Sequence, residues 1–375
     1  MKIVQVISSL GKGGAERLVV DLCNQLAETP GAEVFLCVFY ENENQPSFKN
    51  ELKEKVRYIN LSKKGKIDIS FQIRLIRFLL KLKPNAVNSH LSGTILYLYL
   101  PILLLKKIKF FHTIHNLAEE ETPGKFLQKV RRFIYRTHKL VPVSISTITQ
   151  KSHSNLYRIN SVLIYNGVKK QEATMHYPSV KQEIESYKKN EATKVFLSIG
   201  RINSPKDQKN YKLLLEVFKE ALQHHINVIL VIIGADNSAD QLTLNQLLDI
   251  KPDTVFFVGA KHNIVDYMLN ADVYCLSSKF EGLPITVIEA LAYGLPVIST
   301  NVGGIPELIT DNENGLLVDQ MNANAYFTRL KDIIYWDKNK METVKAANVN
   351  KYNTNFSIEI ACRKYYEMYL KYENK

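Results

Sequence analysis

Two glutamates, Glu281 and Glu289, flank the turn Gly282-Leu283-Pro284. The residues after that turn predict a short helix from about Ile285 to Tyr293. Pro284 suits a first helical position, Gly294 is placed to cap the end, and Pro296 forbids continuation. Nearly every face of this helix is apolar, which predicts burial. Glu289 has Ile285 four residues before it and Ala292 three residues after it, so it lacks a polar neighbour there. A carboxylate buried without a partner is costly or gives up its charge. Something polar must therefore meet Glu289, with Glu281 waiting just before the helix and the free N–H groups of the turn beside both, and a ligand carrying hydroxyls and phosphate would satisfy them all. Three cations stand in a second loop. Arg201 follows an apolar run and a glycine, and Lys206 and Lys209 precede a helix starting near Leu213. Two cations near a helix N-terminus can neutralise a diphosphate leaving group, while the plain alternative is a solvated charged loop. Carboxylates do not bind phosphate, so the glutamates address hydroxyls. A nucleotide-activated sugar carries diphosphate, ribose and hexose in one molecule. The chain holds no Asp-x-Asp dyad. A metal-dependent diphosphate site is therefore not predicted, and protein cations take over the metal's work.

These loops need a scaffold. Lys2–Ser8 predicts a strand that runs into Gly11-Lys12-Gly13-Gly14-Ala15-Glu16 and then into a helix with Leu18, Val19, Leu22 and Leu26 on one face. Strand, glycine loop and helix form a phosphate-approach arrangement, although these glycines also fit a simple tight turn. The stretch lacks the last glycine of a full dinucleotide fingerprint. Further strands are predicted at Val34–Phe39, Glu51–Leu61, Ala86–Asn88, Phe110–His115, Leu140–Ser144 and Val162–Tyr165, with a basic amphipathic helix at Ile69–Leu82. Composition turns polar from Lys169 to Glu191, which predicts a linker. The pattern then restarts with strands at Lys194–Ile199, Asn227–Ile233, Thr254–Val258, Ala271–Leu276 and Pro296–Thr300, a turn at Asn314–Val318 and an aromatic-rich final helix at Ile358–Tyr372. Strands alternating with helices predict parallel sheets. The fold class is α/β: two doubly wound Rossmann-like domains facing across a cleft, over 1–170 and 190–355, with ligands at the carboxyl ends of the strands.

Length and composition agree. A chain of 375 residues, 46% apolar and 23% charged, suits two ordinary globular domains. Cys23, Cys37, Cys275 and Cys362 are scattered without metal or disulfide spacing, which fits a reducing compartment. The N-terminal apolar run is too short for a signal peptide, and the run from Gly93 to Leu105 contains a proline and falls short of a spanning helix. The net charge of +12 is uneven: residues 1–170 hold 27 Lys+Arg against 12 Asp+Glu, and the rest hold 22 against 25. The first half therefore expects an anionic partner: a membrane surface, a phosphorylated acceptor or nucleic acid. Lys125–Lys139 is read as a helix with Phe126, Val130, Phe133 and Ile134 among Lys129, Arg131, Arg132 and Arg136. It fits a helix lying on anionic lipid, and it fits equally a surface helix packing its apolar stripe on the core. A nucleic-acid face lacks any supporting motif, and none is expected.

The Glu281-x7-Glu289 pattern, with Gly282, Pro284, Ala290, Gly294 and Pro296, resembles that of retaining GT-B glycosyltransferases of family 4. The resemblance continues, in family order, through Gly13-Gly14-Ala15-Glu16, His115-Asn116, Asn166-Gly167-Val168, Gly200-Arg201, Gly303-Gly304-Ile305-Pro306-Glu307 and Gly315-Leu316-Leu317-Val318. It implies a metal-independent hexosyltransferase with no cofactor. The donor would be a nucleoside diphosphate sugar, with uridine as base. The acceptor would be a saccharide or a lipid-linked saccharide of cell-surface polysaccharide synthesis; the scattered cysteines separately suggest a cytoplasmic protein, and the basic first half suggests peripheral contact with anionic membrane. Arg201 and Lys209 would hold the leaving diphosphate, with Lys206 as second candidate for the lysine. Glu281 would bond the donor sugar and Glu289 the ribose. Amides near Gly282, Leu283 and Pro284 would meet sugar or phosphate, and Gly13 and Gly14 would let their loop approach the diphosphate. His115 would lie on the acceptor side of the reacting centre, and the final helix, about 356–375, would pack back on the first domain. Two rivals share the architecture: a nucleotide-sugar 2-epimerase, which needs no acceptor, and a nicotinamide-dependent oxidoreductase.

Overall fold

Parallel strands need a crossover long enough to return the chain to the same end of the sheet, and helices supply it here. The computed structural model describes residues 1–11, 13–41, 47–65, 68–121, 124–137, 139–202, 207–234, 246–247 and 249–373. Among these, two parallel sheets form. The first contains β1 (Lys2–Ile7), β2 (Glu33–Val38), β3 (Arg57–Asn60), β4 (Ala86–His90), β5 (Lys109–Ile114), β6 (Leu140–Ser144) and β7 (Val162–Leu163), in the order β3-β2-β1-β4-β5-β6-β7. The second contains β8 (Lys194–Ile199), β9 (Val228–Ile233), β10 (Val255–Phe257), β11 (Val273–Leu276), β12 (Val297–Thr300) and β13 (Gly315–Val318), in the order β10-β9-β8-β11-β12-β13. Chain direction of travel reverses between β1 and β4 in one sheet and between β8 and β11 in the other, which is where doubly wound sheets open a ligand crevice. This is the two-domain α/β architecture of the GT-B fold.

The chain divides into one unit of Met1–Lys169 with Asn355–Lys375 and a second of Lys170–Thr354. In the first unit the period of two along β1 sends Ile3 and Ile7 to one core and Val4 and Val6 to the other. The core holding Ile3 is closed by the helices Gly14–Leu26 and Ile358–Glu373, through Leu18, Leu22, Cys362, Tyr365 and Tyr369. Gly167 makes the return of the last helix feasible: a β-carbon there would stand 2.6 Å from Ala361 Cβ and 2.8 Å from Ile358 Cα. Backbone bonds then tie Val168 to Phe356 and Ile358.

Three expectations change. The stretch read as a linker contains a helix, Tyr177–Tyr187, whose Val180 and Ile184 are buried within the second unit. The Asn314–Val318 turn is an edge strand, β13, paired with β12 from Val297↔Gly315 to Thr300↔Val318. Gly315 sits where a β-carbon would collide with the Val297 carbonyl, and its tight approach had the look of turn chemistry. The third strand is shorter than read, because Lys49–Glu51 forms a single 3-10 turn before it.

Candidate active site

Three neighbouring strands of the second sheet, β8, β11 and β12, bring their carboxyl-end loops side by side. Gly200-Arg201 follows β8, Ser277 to Pro284 follows β11, and Asn301 to Gly304 follows β12. Arg201 is exposed at the end of its strand. Lys209 lies at the end of the same loop, before the helix Tyr211–Gln223, and its chain runs along Gly200, where a β-carbon would stand 2.8 Å from Lys209 Cε. Its Nζ donates to Glu281 Oε1 at 2.7 Å. Ser278 Oγ donates to the same oxygen, also at 2.7 Å. The two glutamate and lysine roles read separately from the sequence thus belong to one ion pair, with side chains only 16% and 8% exposed.

The pair is held by its backbone. Lys279 N–H donates to the Gln208 carbonyl at 2.8 Å, Gln208 Nε2 donates to the Phe280 carbonyl at 3.0 Å, and Ser277 Oγ donates to the carbonyls of Lys209 and Asn210. Gly303 and Gly304 close the loop from the β12 side. A β-carbon at either would run into the carbonyl oxygen of Glu281 or of Gly282, and Gly303 has φ +55° besides. Only glycine lets these two backbones approach so closely. Sequence reading placed Gly303-Gly304 in the motif set without a role, and missed Ser278, whose position three residues before Glu281 was the available signal.

The helix after the turn spans Ile285–Ala292, with Pro284 as its N-cap and Gly294 at φ +74° beyond its end. Glu289 corrects an expectation: it is half-buried rather than buried. A polar strip exists at positions three before and four after it, Thr286 and Tyr293, which the sequence reading did not count. Tyr274 O–H donates to Thr286 Oγ1 at 2.8 Å, and Tyr293 O–H donates to the Gln171 carbonyl at 2.9 Å. Glu289 is therefore placed by a polar helix face and does not by itself demand a ligand. Lys206 lies outside the described residues.

The other predicted residues belong to the first unit. Gly13 caps the helix Gly14–Leu26 in an extended conformation, where a β-carbon would run into the Glu16 carboxylate. His115 follows β5 and is buried. Its Nε2 lies 3.2 Å from His90 Nδ1, and His90 Nε2 lies 2.8 Å from Gln5 Oε1. With the Gln5 amide nitrogen donating to Tyr369 Oη, the Gln5 carbonyl oxygen can only accept. His90 Nε2 then carries the proton and His90 Nδ1 accepts from His115 Nε2–H. Asn88 Nδ2 also stands 3.2 Å from His90 Nε2, and the shorter carbonyl contact decides the tautomer. Burial pushes His115 down to about 4, with Glu121 opposing, so His115 is neutral near pH 7 and offers Nδ1 as an acceptor.

Sequence reading missed one more cluster. Glu121 is buried against Arg131 Nη1 at 3.1 Å and His153 Nε2 at 3.6 Å. Arg131 also donates to the Ser92 carbonyl at 2.8 Å, and Arg132 to the Leu156 carbonyl. Two of the four cations assigned to the basic side of the Lys125–Tyr135 helix thus face inward.

Both units match known proteins. A model of Glycosyltransferase Family 4 matches residues 12–172, and a model of Glycosyl transferases group 1 matches residues 179–350. An N-acetylgalactosamine-N,N'-diacetylbacillosaminyl-diphospho-undecaprenol 4-alpha-N-acetylgalactosaminyltransferase of Campylobacter jejuni is 27% identical over 88% of this chain and 90% of its own. A UDP-Gal:alpha-D-GlcNAc-diphosphoundecaprenol alpha-1,3-galactosyltransferase of Escherichia coli is 24% identical over 70% of each. The crystal structure of Anabaena HepE in complex with UDP and glucose superposes with a TM-score of 0.80 at 16% identity, covering 98% of this chain and 99% of that one. With both units matched by sugar-transferase families and the fold shared, the chain belongs to the group 1 glycosyltransferases of GT-B fold.

Proposed function

We propose that this glycosyltransferase moves a hexosyl residue from a UDP-sugar to a hydroxyl of a saccharide or lipid-linked saccharide, with retention at the anomeric carbon, in the synthesis of a cell-surface polysaccharide. The observation that carries the reading is the anchored Glu281. Lys209 and Ser278 both engage Oε1, so among the described residues Oε2 is left to accept from a ligand hydroxyl, with the cation Arg201 at the neighbouring strand end. A carboxylate fixed through one oxygen and offering the other is suited to hold a sugar hydroxyl without rotating. The relatives named above support the substrate class: one takes UDP-Gal, and both build on diphospho-undecaprenol-linked sugars.

In this reading Arg201 and Lys209 stabilise the negative charge that develops on the diphosphate as the glycosidic bond breaks. The acceptor hydroxyl attacks from the face the diphosphate leaves, and a leaving-group oxygen takes the acceptor's proton. No strong protein base is then required. No metal takes part, because the cations supply the charge. Glu289 accepts from the ribose, the turn amides of Gly282, Leu283 and Pro284 meet sugar or phosphate oxygens, and Gly13 and Gly14 serve the diphosphate from the first unit. Lys206 is the second candidate for the diphosphate lysine. His115, uncharged at neutral pH, contributes a hydrogen bond to the reacting sugars and no charge. The enzyme works in the cytoplasm, a reading supported by four buried free thiols.

The test is turnover of a panel of nucleotide sugars chosen by thermal shift, since a bound donor stabilises by mass action. Arg201→Ala and Glu281→Ala should each lower turnover at least about a hundredfold with unfolding unchanged. Near-normal turnover in both soluble variants would overturn the site. The product anomer, read by NMR, tests retention, and a reaction lacking acceptor tests for epimerisation.

A further inference from the structure

The two faces of the first sheet present different surfaces. On one, the helices Gly14–Leu26 and Ile358–Glu373 carry Glu16, Glu359, Glu367 and Glu373 among their cations. On the other, the helices Ile69–Leu82, Thr94–Leu104 and Lys125–Tyr135 contain no acid at all. Between Ile69 and Gln171 the only acids are Glu119, Glu120 and Glu121, and Glu121 is committed to Arg131. These three helices also leave large apolar side chains in solvent. Phe126 is 77% exposed, Ile69 75%, Phe133 61% and Leu104 61%, with Ile73, Leu80 and Leu100 exposed as well.

Spacing shows how the residues are arranged. Phe126, Lys129, Phe133 and Arg136 recur every three or four positions, so they share one ridge of their helix, all four exposed. Ile69, Ile73, Arg77 and Leu80 do the same on theirs. The core is served by other residues: Val130, Ile134 and Tyr135 on one helix, Phe71, Leu75 and Leu79 on the other. The phenylalanines are thus surplus to packing, and the core-stripe reading of Lys125–Lys139 does not account for them. The helices are neighbours: the Tyr99 and Phe133 rings are 6.1 Å apart, the Phe71 and Tyr97 rings 5.4 Å, and Lys139 Nζ donates to the Leu103 carbonyl. Exposed Lys106, Lys107, Lys125 and Lys139 surround them.

We propose that this three-helix face is a docking surface for an anionic lipid bilayer. Apolar tips that alternate with cations along one ridge match a headgroup layer, where rings enter the acyl boundary and long cationic stems reach phosphates. A protein partner would have to meet apolar side chains ringed by one sign of charge over three helices. A bilayer supplies that complement continuously. The proposal builds on the reading of a lipid-linked acceptor and places the enzyme at the surface where such an acceptor resides.

The experiment is flotation of the full chain with vesicles of phosphatidylcholine, alone or mixed with phosphatidylglycerol. The wild type should float with the mixed vesicles at low salt and separate from them at high salt. Phe126→Ser with Phe133→Ser should weaken the partition at least about tenfold. Lys125→Glu with Lys129→Glu should do the same, since each cation is worth about fivefold near an anionic surface. Tyr335→Ser, which alters an aromatic ring of the second unit that is equally bare, should change nothing. Turnover of a water-soluble acceptor should stay at the wild-type level in all of these. A wild type that fails to float, or variants that float like it, would overturn the proposal. So would loss of self-association in the phenylalanine variant, seen by sedimentation, without any vesicle binding, which would assign the face to a second copy. A wild type that floats but turns over no nucleotide sugar would leave this face in place and count instead against the proposed transferase activity.

Discussion

Glu121 and Glu281 are both carboxylates buried under cations, one in each unit, and they are finished differently. Glu121 meets Arg131 and His153 in a sealed place, and Arg131 spends its other amine on the Ser92 carbonyl. Burial alone would raise the Glu121 carboxyl, yet His153, His112 and Arg131 outweigh it and hold the group below its ordinary value. Every bond in that cluster points back into the protein. Among the described residues Glu281 is fixed through one oxygen only, in a loop at a strand's carboxyl end. The same pairing of charges is closed on itself in one place and, in the function proposed above, meets a ligand in the other. What separates them is the exit left open for one acceptor atom.

The largest effect should come from breaking the sealed pair. Arg131→Met removes the arginine and leaves the buried carboxylate with only the His153 ring beside it, which costs about 3–5 kcal/mol. Denaturant unfolding should show that loss, while turnover per folded molecule stays near wild type. A stable but inactive Arg131→Met would reverse the comparison and make Glu121 part of the reaction. Next comes Lys209→Met, which should lower turnover about a hundredfold, near 2.7 kcal/mol. The double variant Lys209→Met with Glu281→Ala should lose more than either single but less than the sum of the two, because the ion pair that joins their separate ligand contacts is lost once. Fully additive losses would mean that the ion pair does not position either residue.

Acid should also distinguish the units. Burial lowers His90, His112 and His115, His112 to about 3 and His115 to about 4, from an ordinary 6.5. Between pH 6.5 and about 4 the unfolded chain takes up protons that the folded first unit excludes. Stability therefore falls as pH falls, by about 1.4 kcal/mol per pH unit for each such histidine. His176, His224, His225 and His262 of the second unit are all exposed. Hydrogen exchange resolved by unit should show the first opening before the second on acidification. Simultaneous opening would mean that the histidine cluster does not limit the first unit.

How much of this was legible in the sequence depends on distance along the chain. The parallel sheets follow from local period and turn residues, and nearly every strand lies where the pattern placed it. Glu281 was legible because its turn and helix are contiguous with it. Its bond to Lys209 joins residues 72 positions apart and was not. The Glu121 cluster was hidden for the same reason, and because Arg131 reads as one more cation on a basic helix. Glu289 misled for a local reason. Checking Ile285 and Ala292 but not Thr286 and Tyr293 tested half of the helix neighbours that decide a face. Gly303 and Gly304 were visible as a motif, but their purpose, clearance for the Glu281 and Gly282 carbonyls, exists only in three dimensions.

The smallest effect tests what aligns the Glu281 loop. A third cation–carboxylate pair lies there, Lys279 Nζ to Asp207 at 2.8 Å, with side chains 41% and 57% exposed. An exposed pair is screened and costs side-chain entropy, so it contributes about 0–1 kcal/mol. The backbone bonds between Lys279 and Gln208, with the Gln208 and Ser277 side chains on neighbouring carbonyls, do not depend on it. Lys279→Ala should therefore leave both turnover and unfolding within about 0.5 kcal/mol of wild type. A tenfold fall in turnover would show that the exposed pair, and not the backbone, sets the loop. Glu281 would then be positioned from the surface inward, unlike Glu121, and the contrast between a sealed and an open carboxylate would extend to what holds each in place.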